Sequence, residues 1–248
     1  SAFSECEALQ EIRLPDGLEL IGRSAFSECE ALQEIRLPDG LKEIGSDAFS
    51  GCRSLRQITV PVGVKCIETA VFQSCRALQE VHLPEGLEQI GMFAFEDCDT
   101  LTRIVLPASL KRLCRGAFEN CTSLLEAQLP DGLEELQDDA FEYCRSLQKV
   151  TIPAQVRQIE RAAFYYCQSL QEVQLPEELN EIGEDAFAHC WALKRIVIPA
   201  GVEKVGEHAF WECYSLQNIA VLSDDTEIAE DAFEDCPGTV KRGTGSLF

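Results

Sequence analysis

The sequence is poor in basic residues, and this shortage excludes some kinds of partner. It has 21 Lys and Arg against 43 Asp and Glu, which gives a formal net charge of −22. Such a surface repels phosphate backbones, and nucleic-acid binding normally starts from a basic stripe, so we expect no nucleic-acid partner. Anionic membrane surfaces are disfavoured for the same reason.

Long hydrophobic runs are also lacking. No stretch approaches the roughly 20 apolar residues that a membrane helix needs, so we expect no direct membrane insertion. Because Ser1-Ala2-Phe3 begins inside a structural motif, we expect no secretory signal in these residues and we expect the chain to be a fragment or a processed product. Hydrophobic residues make up 46% of the chain, enough to form a folded core.

Residue patterns that carry chemistry are scarce. The three histidines, His82, His189 and His208, occur at three different positions of the repeat described below. No nucleophile elbow, phosphate loop or metal-binding histidine pair is found in the sequence. We therefore expect no enzyme, no cofactor and no metal site.

What the sequence has in abundance is an internal repeat of 23 residues. Four residue types recur at this step without an insertion or deletion, and we call each equivalent position a phase. The phenylalanines are Phe3, Phe26, Phe49, Phe72, Phe95, Phe118, Phe141, Phe164, Phe187, Phe210 and Phe233. The cysteines are Cys6, Cys29, Cys52, Cys75, Cys98, Cys121, Cys144, Cys167, Cys190, Cys213 and Cys236. Leucines run likewise from Leu9 to Leu216 and prolines from Pro15 to Pro199.

One repeat can be interpreted from Leu9 onward. The alternation Ile12-Arg13-Leu14 predicts a strand, which Pro15-Asp16-Gly17 ends in a turn. The segment 24–29 predicts one short helical turn. Aspartate often occupies the first position of this segment, the Ser24 phase, where it could cap free N–H groups. The pairs Asp139 with Glu142 and Asp231 with Glu234 have the spacing of a capping box. A single 23-residue unit has too small a core to fold alone, so we expect the repeats to stack as a solenoid.

The pattern from Leu9 to Cys29, repeated to the C-terminus, resembles the BspA-like class of leucine-rich repeats. The resemblance implies an α/β solenoid, a right-handed superhelix of about eleven repeats with a parallel sheet on its concave face and short helical turns elsewhere. It also implies a binding scaffold, often adhesive, of an extracellular or surface protein; an intracellular assembly is the alternative. The family has no shared ligand-binding motif to carry over.

Domain organisation follows from the unbroken register. We expect residues 1–248 to form a single solenoid that begins in the middle of a repeat. Residues 220–248 form a degenerate or capping repeat and a tail, because Leu222-Ser223 replaces the expected Leu-Pro and Pro237-Gly238 ends the pattern.

The cysteines allow two interpretations. A ladder at 23-residue steps could form disulfides or bind metal between neighbouring coils, or it could consist of small, buried, reduced thiols. Zinc motifs space their cysteines two to four residues apart, and an odd total of 13 cannot pair completely. The pattern favours buried thiols, with Cys66 as a candidate accessible one.

The outward residues of the predicted sheet form a first candidate binding surface. Its middle column is Arg13, Arg36, Thr59, His82, Val105, Gln128, Thr151, Gln174 and Val197. This column and the two beside it hold seven Lys or Arg and five Glu, so the face carries about +2 while the chain carries −22. A near-neutral, glutamine-rich sheet suits a protein or glycan partner, although it could also be a plain solvated surface.

Aromatic residues form a second candidate. Near the C-terminus, phases that elsewhere hold Ser, Glu or Asp become aromatic or histidine, at Tyr143, Tyr165, Tyr166, His189, Trp191, Trp211 and Tyr214. Exposed aromatic clusters often anchor interfaces, whereas the same rings could merely cover the edge of the solenoid. We therefore expect a non-catalytic scaffold that recognises a protein or glycan; the alternative is a structural spacer or an assembly subunit of a larger complex.

Overall fold

Each 23-residue repeat forms one turn of a solenoid, which we call a coil. In a computed structural model, which describes residues 2–243, a coil contributes one long strand of three or four residues and one short strand of two. The strands are β1 (Glu11–Arg13), β2 (Leu20–Ile21), β3 (Glu34–Arg36), β4 (Glu43–Ile44), β5 (Gln57–Thr59), β6 (Cys66–Ile67), β7 (Glu80–His82), β8 (Gln89–Ile90), β9 (Arg103–Val105), β10 (Arg112–Leu113), β11 (Glu126–Gln128), β12 (Glu135–Leu136), β13 (Lys149–Thr151), β14 (Gln158–Ile159), β15 (Glu172–Gln174), β16 (Glu181–Ile182), β17 (Arg195–Ile198), β18 (Lys204–Val205), β19 (Asn218–Val221), β20 (Glu227–Ile228) and β21 (Thr239–Arg242). The ends of the predicted 1–248 range, residue 1 and residues 244–248, lie outside the described part.

Strand pairing keeps the 23-residue register. Every pairing is parallel and joins equivalent strands of successive coils, so that Ile12 lies beside Ile35 and Ile58 beside Val81. The exception is the last strand, where Thr239 pairs with Asn218, 21 residues earlier. The predicted parallel solenoid is therefore confirmed, with about ten coils where about eleven repeats were predicted, and β21 extends it beyond the Pro237-Gly238 break.

The core is one continuous apolar column. The eleven repeat phenylalanines stack ring on ring, with centroids 5.0 to 5.7 Å apart. Those from Phe49 to Phe210 are fully buried, and the repeat leucines and isoleucines pack around them. Each coil thus buries its apolar side chains against the next coil, which is the physical reason why the repeats need one another.

The predicted helical turn is wrong: residues 2–243 contain no helix. The backbone of segment 24–29 turns twice through the left-handed region instead, at Ser24 (φ 50°) and Glu28 (φ 57°), and most other coils repeat this. Its amides bond to the next coil, since Phe26 N–H donates to the Ala48 carbonyl at 2.8 Å. Glycine, which tolerates positive φ best, occurs at both of these phases: Gly51 is equivalent to Glu28, and Gly116 is equivalent to Ser24.

The predicted capping role of Asp139 is also wrong. With no helix to cap, its carboxylate is buried between two arginines of neighbouring coils. Arg115 Nε donates to Oδ2 at 2.9 Å, and an Arg161 guanidinium nitrogen lies 3.3 Å from Oδ1. Asp231 does not cap a helix either, and its Oδ2 lies 3.4 Å from Nε2 of His208.

The cysteine column has a structural role. Ten of the repeat thiols donate a hydrogen bond to the carbonyl of the phenylalanine 26 residues earlier, at 3.0 to 3.4 Å. All 13 cysteines are free. Cys66 is half-buried rather than openly accessible.

Candidate functional site

The aromatic patch, which comprises Tyr143, Tyr165, Tyr166, His189, Trp191, Trp211 and Tyr214, lies on the turn that carries the left-handed backbone. Tyr143, Tyr166 and His189 occupy one phase in successive coils, each with positive φ. Hydrogen bonds between coils set neighbours side by side: Tyr143 N–H donates to the Tyr165 carbonyl, and His189 N–H to that of Trp211, each at 2.8 Å. The backbone therefore brings together rings that lie far apart in sequence.

The rings of the patch form one connected group. The rings of Tyr143 and Tyr165 meet edge to face at 5.6 Å, and Tyr166 lies 4.3 Å from the imidazole of His189. His189 in turn lies 4.7 Å from Trp211, and Trp191 lies between Tyr166 at 5.7 Å and Tyr214 at 6.3 Å. The structure thus joins all seven sequence-predicted residues in one continuous series of ring contacts.

Exposure divides the patch into a base and a platform. His189 is buried, and Tyr143, Tyr165, Tyr166 and Trp211 are half-buried. Trp191 and Tyr214 remain exposed, at 37% and 53%. Part of the cluster therefore packs over the solenoid edge, while two adjacent rings stay open to solvent.

Carboxylates border the platform. Glu212 Oε2 lies 3.0 Å from Nδ1 of His189, although the two atoms are not aligned for a hydrogen bond. The pKa of Tyr214 is raised to about 12, first by a hydrogen bond to Glu212. Sequence reasoning missed Glu212, because Glu is common on these turns and nothing in the pattern distinguishes this one.

The opposite border of the patch is mixed in charge. The guanidinium of Arg145 lies over the Tyr143 ring at 5.7 Å. Glu119 and Glu142 occupy the Tyr165 phase in the two preceding coils, and burial followed by neighbouring carboxylates raises the pKa of each to about 7. Both side chains are half-buried at the edge of the patch.

The second candidate surface, the long-strand face, consists of the outward residues of the long strands. All nine predicted residues of its middle column, from Arg13 to Val197, are exposed. Among residues 2–243, Val105 is the most exposed large hydrophobic side chain, at 77%. The face offers scattered apolar groups and no continuous aromatic cluster.

Charges alternate along one column of the long-strand face. Arg103, Glu126, Lys149, Glu172 and Arg195 follow one another in successive coils. Arg103 pairs with Glu126 at 2.6 Å, and Glu172 with Lys149 at 3.6 Å and with Arg195 at 3.8 Å. Exposed pairs of this kind contribute little stability, and here they neutralise the charge of the face internally.

Two findings bear on metals and membranes. Within residues 2–243, no three His, Cys, Asp or Glu side chains are grouped so that they could hold a metal ion. The same residues include no helix with the length and apolar character needed to cross a membrane.

The chain matches the model of the BspA type leucine rich repeat region, in six copies over residues 1–125 and 115–240. Its fold is similar to that of a leucine-rich repeat protein from Bacteroides ovatus, with 30% identity and a TM-score of 0.87 over 94% of this chain. The chain spans 63% of the length of that protein.

Other solved structures extend the comparison. A leucine-rich repeat protein of T. pallidum is 28% identical, with a TM-score of 0.55 over 74% of this chain and 78% of that one. The pneumococcal vaccine antigen PcpA, at 21% identity and a TM-score of 0.54, shares the fold over 93% of this chain and 62% of its own. No curated protein matches the chain significantly in sequence.

Proposed function

The chain belongs to the BspA-type leucine-rich repeat family, and on that basis we propose that it is a non-catalytic recognition scaffold whose aromatic patch binds a protein or glycan partner. The stacked coils form the rigid support, and the patch is the contact surface. The long-strand face is a second candidate surface, and the spacer or assembly role is the alternative function.

The observation that supports this proposal is the break in an otherwise regular repeat. Equivalent phases in the N-terminal coils hold mostly small or charged residues, such as Ser4, Glu5, Glu7 and Arg53. In the C-terminal coils these phases hold seven aromatic or histidine side chains that contact one another. Burial of the hydrophobic core does not require these rings, since the core phenylalanine stack is complete without them.

The aromatic composition also suits recognition. Tyr and Trp are enriched among residues that dominate binding energy, because they combine large apolar area with a polar edge and few rotatable bonds. The rings of the patch are braced by neighbours on adjacent coils, so little side-chain entropy is lost on binding. The alternating charges of the long-strand face, by contrast, are already paired with one another.

The test is partner capture from the source organism with the triple variant Tyr166→Ala, Trp191→Ala and Trp211→Ala. We expect the captured partner to be lost while the thermal transition remains cooperative. The matched control is Arg36→Ala, Thr59→Ala and His82→Ala on the long-strand face, which we expect to retain the partner. Capture that is unchanged in the first variant contradicts the patch, and capture lost only in the second moves the site to the long-strand face.

A further inference from the structure

The exposed part of the aromatic patch has a definite geometry. Trp191 and Tyr214 occupy the same phase in adjacent coils, with ring centroids 6.3 Å apart and planes 32° apart. Both rings are open to solvent; Tyr166, on the preceding coil, contacts Trp191 at 5.7 Å and is itself in contact with His189 at 4.3 Å. They form a two-ring platform that runs along the solenoid axis.

The charge around this platform has one sign. The three turn segments that surround it, residues 185–191, 208–214 and 231–237, contain five Asp or Glu and no Lys or Arg. Glu212 touches His189, and Asp235 lies in the same phase one coil further on and is exposed. The nearest bases in sequence, Lys194 and Arg195, belong to the long-strand face, where Arg195 lies 3.8 Å from Glu172.

The spacing of the platform matches an extended polypeptide. Side chains on one side of a β-strand are two residues, or about 6.6 to 6.8 Å, apart. This agrees with the 6.3 Å between the ring centroids of Trp191 and Tyr214. A segment that lies along the solenoid axis can therefore place alternate side chains on successive rings.

We propose that the platform of Trp191 and Tyr214 binds an extended basic segment of a partner protein, with Arg or Lys at alternate positions stacked on the two rings and Glu212 and Asp235 as counter-charges. This proposal rests on the proposed recognition function and names the chemistry of its partner. Guanidinium and ammonium groups are attracted to aromatic faces, most strongly to Trp. Bordering carboxylates strengthen that attraction by pairing with the same cation.

The geometry also excludes the reverse arrangement of charges. An acidic segment on the platform would meet Glu212, Asp235 and the electron-rich faces of both rings. Arg145, the cation of the patch, lies over Tyr143, two coils away from Trp191. The partner segment is therefore basic at the C-terminal end of the patch.

The test uses the full chain and three synthetic nine-residue peptides. The first has Arg at alternate positions, the second has the same composition with its Arg residues contiguous, and the third has Glu in place of Arg. Binding is followed by tryptophan fluorescence and by calorimetry. We expect the alternating peptide to bind at least tenfold more tightly than the contiguous one, the acidic peptide not to bind, and salt to weaken binding.

Two variants separate the platform from the general negative charge of the chain. Glu212→Gln with Asp235→Asn removes two charges beside the platform, and Glu5→Gln with Glu28→Gln removes two from the same phase in coils that lack the residues of the aromatic patch. We expect at least a tenfold loss of affinity for the first and less than a twofold loss for the second. Trp191→Ala with Tyr214→Ala, checked for an unchanged melting temperature, should abolish the preference for alternating Arg.

The outcomes are distinguishable from failure of the proposed function. Equal weakening by the two neutralised variants shows that the chain attracts basic peptides only through its overall charge and overturns the inference. If a neutral oligosaccharide quenches the tryptophan fluorescence and no peptide does, the inference is also wrong while the recognition role stands. If no peptide binds, and if partner capture is unaffected by substitution of Trp191, both proposals are contradicted.

Discussion

The thiol of Cys75 donates a hydrogen bond to the carbonyl oxygen of Phe49, 3.3 Å away in the preceding coil. The same carbonyl accepts the amide of Cys52 at 3.1 Å, so one buried oxygen is satisfied from two coils. The repeat therefore holds a small apolar residue with a weak donor at this phase, which cysteine supplies and alanine or valine does not.

Substitution at one rung of the cysteine column tests this role. Cys98 donates to Phe72 at 3.4 Å and is fully buried. We expect Cys98→Ala to lower the free energy of unfolding by about 1 to 2 kcal/mol, from a small cavity and a lost donor. Cys98→Ser keeps a donor and should be no less stable than Cys98→Ala in urea denaturation. A serine variant that is clearly the less stable of the two would show that cysteine acts only as apolar filler.

Thiol reactivity follows burial. Burial raises the pKa of the column thiols such as Cys75 and Cys144, and raises that of the half-buried Cys66 to about 12. We expect alkylation of the native protein at pH 8 to modify the exposed Cys6 rapidly and these others slowly, since the thiolate is the reactive form. Unfolding should release all 13 thiols without a reductant. Mass spectrometry that finds Cys66 labelled as fast as Cys6 would contradict this order.

Glu119 and Glu142 make stability depend on pH. Burial raises the pKa of each from about 4.5 to about 7. Between these values the folded state binds more protons than the unfolded state, so their contribution to stability decreases as pH rises from 4.5 through 7. Glu119→Gln with Glu142→Gln should therefore flatten the decline of the melting temperature between pH 5 and pH 8.

The control for this pH dependence is Glu85→Gln, on an exposed turn. It should leave the difference in melting temperature between pH 5 and pH 8 as in the wild type. A double variant with the wild-type slope would show that the two carboxylates are solvated and ionise normally.

Asp139 links three coils through charge. Its carboxylate, only 4% exposed, pairs with Arg115 and Arg161. We expect Arg115→Ala with Arg161→Ala to cost about 3 kcal/mol, because a buried charge then loses both partners. Asp139→Asn should cost less, since Asn tolerates the positive φ of 58° and leaves the arginines half-exposed. Chemical denaturation compares the two, and an equal or larger loss for Asp139→Asn would contradict the pairing.

The repeat made much of the fold predictable from the sequence. Phe72 and Cys75 recur at one step, and a residue type that recurs at a fixed step through a chain must meet an equivalent environment, which here is the core. The left-handed turns were not predictable, because residues such as Glu28, Phe93 and Tyr143 rarely adopt positive φ and are held there by hydrogen bonds between coils. The prediction of a helical turn failed for the same reason.

The candidate site was predictable in part. The column of Tyr143, Tyr166 and His189 follows from the step alone, once the coils are known to stack. Burial of His189 and the contact of Glu212 with it depend on side-chain packing between coils, which the repeat pattern does not encode. The pairing of Asp139 with Arg115 and Arg161 was not predicted for the same reason, since the two arginines come from two neighbouring coils.

Deletion of one whole coil tests most directly the central claim, that equivalent 23-residue coils stack in register and hold the aromatic patch. Removal of residues 47–69 joins Ser46 to Ala70, which has the same phase and the same left-handed φ as Asp47. We expect this variant to melt cooperatively with the tryptophan emission of the wild type, whereas removal of residues 47–66 breaks the register and unfolds the chain. Equal stability of the two deletions, or loss of structure in the first, would contradict the claim.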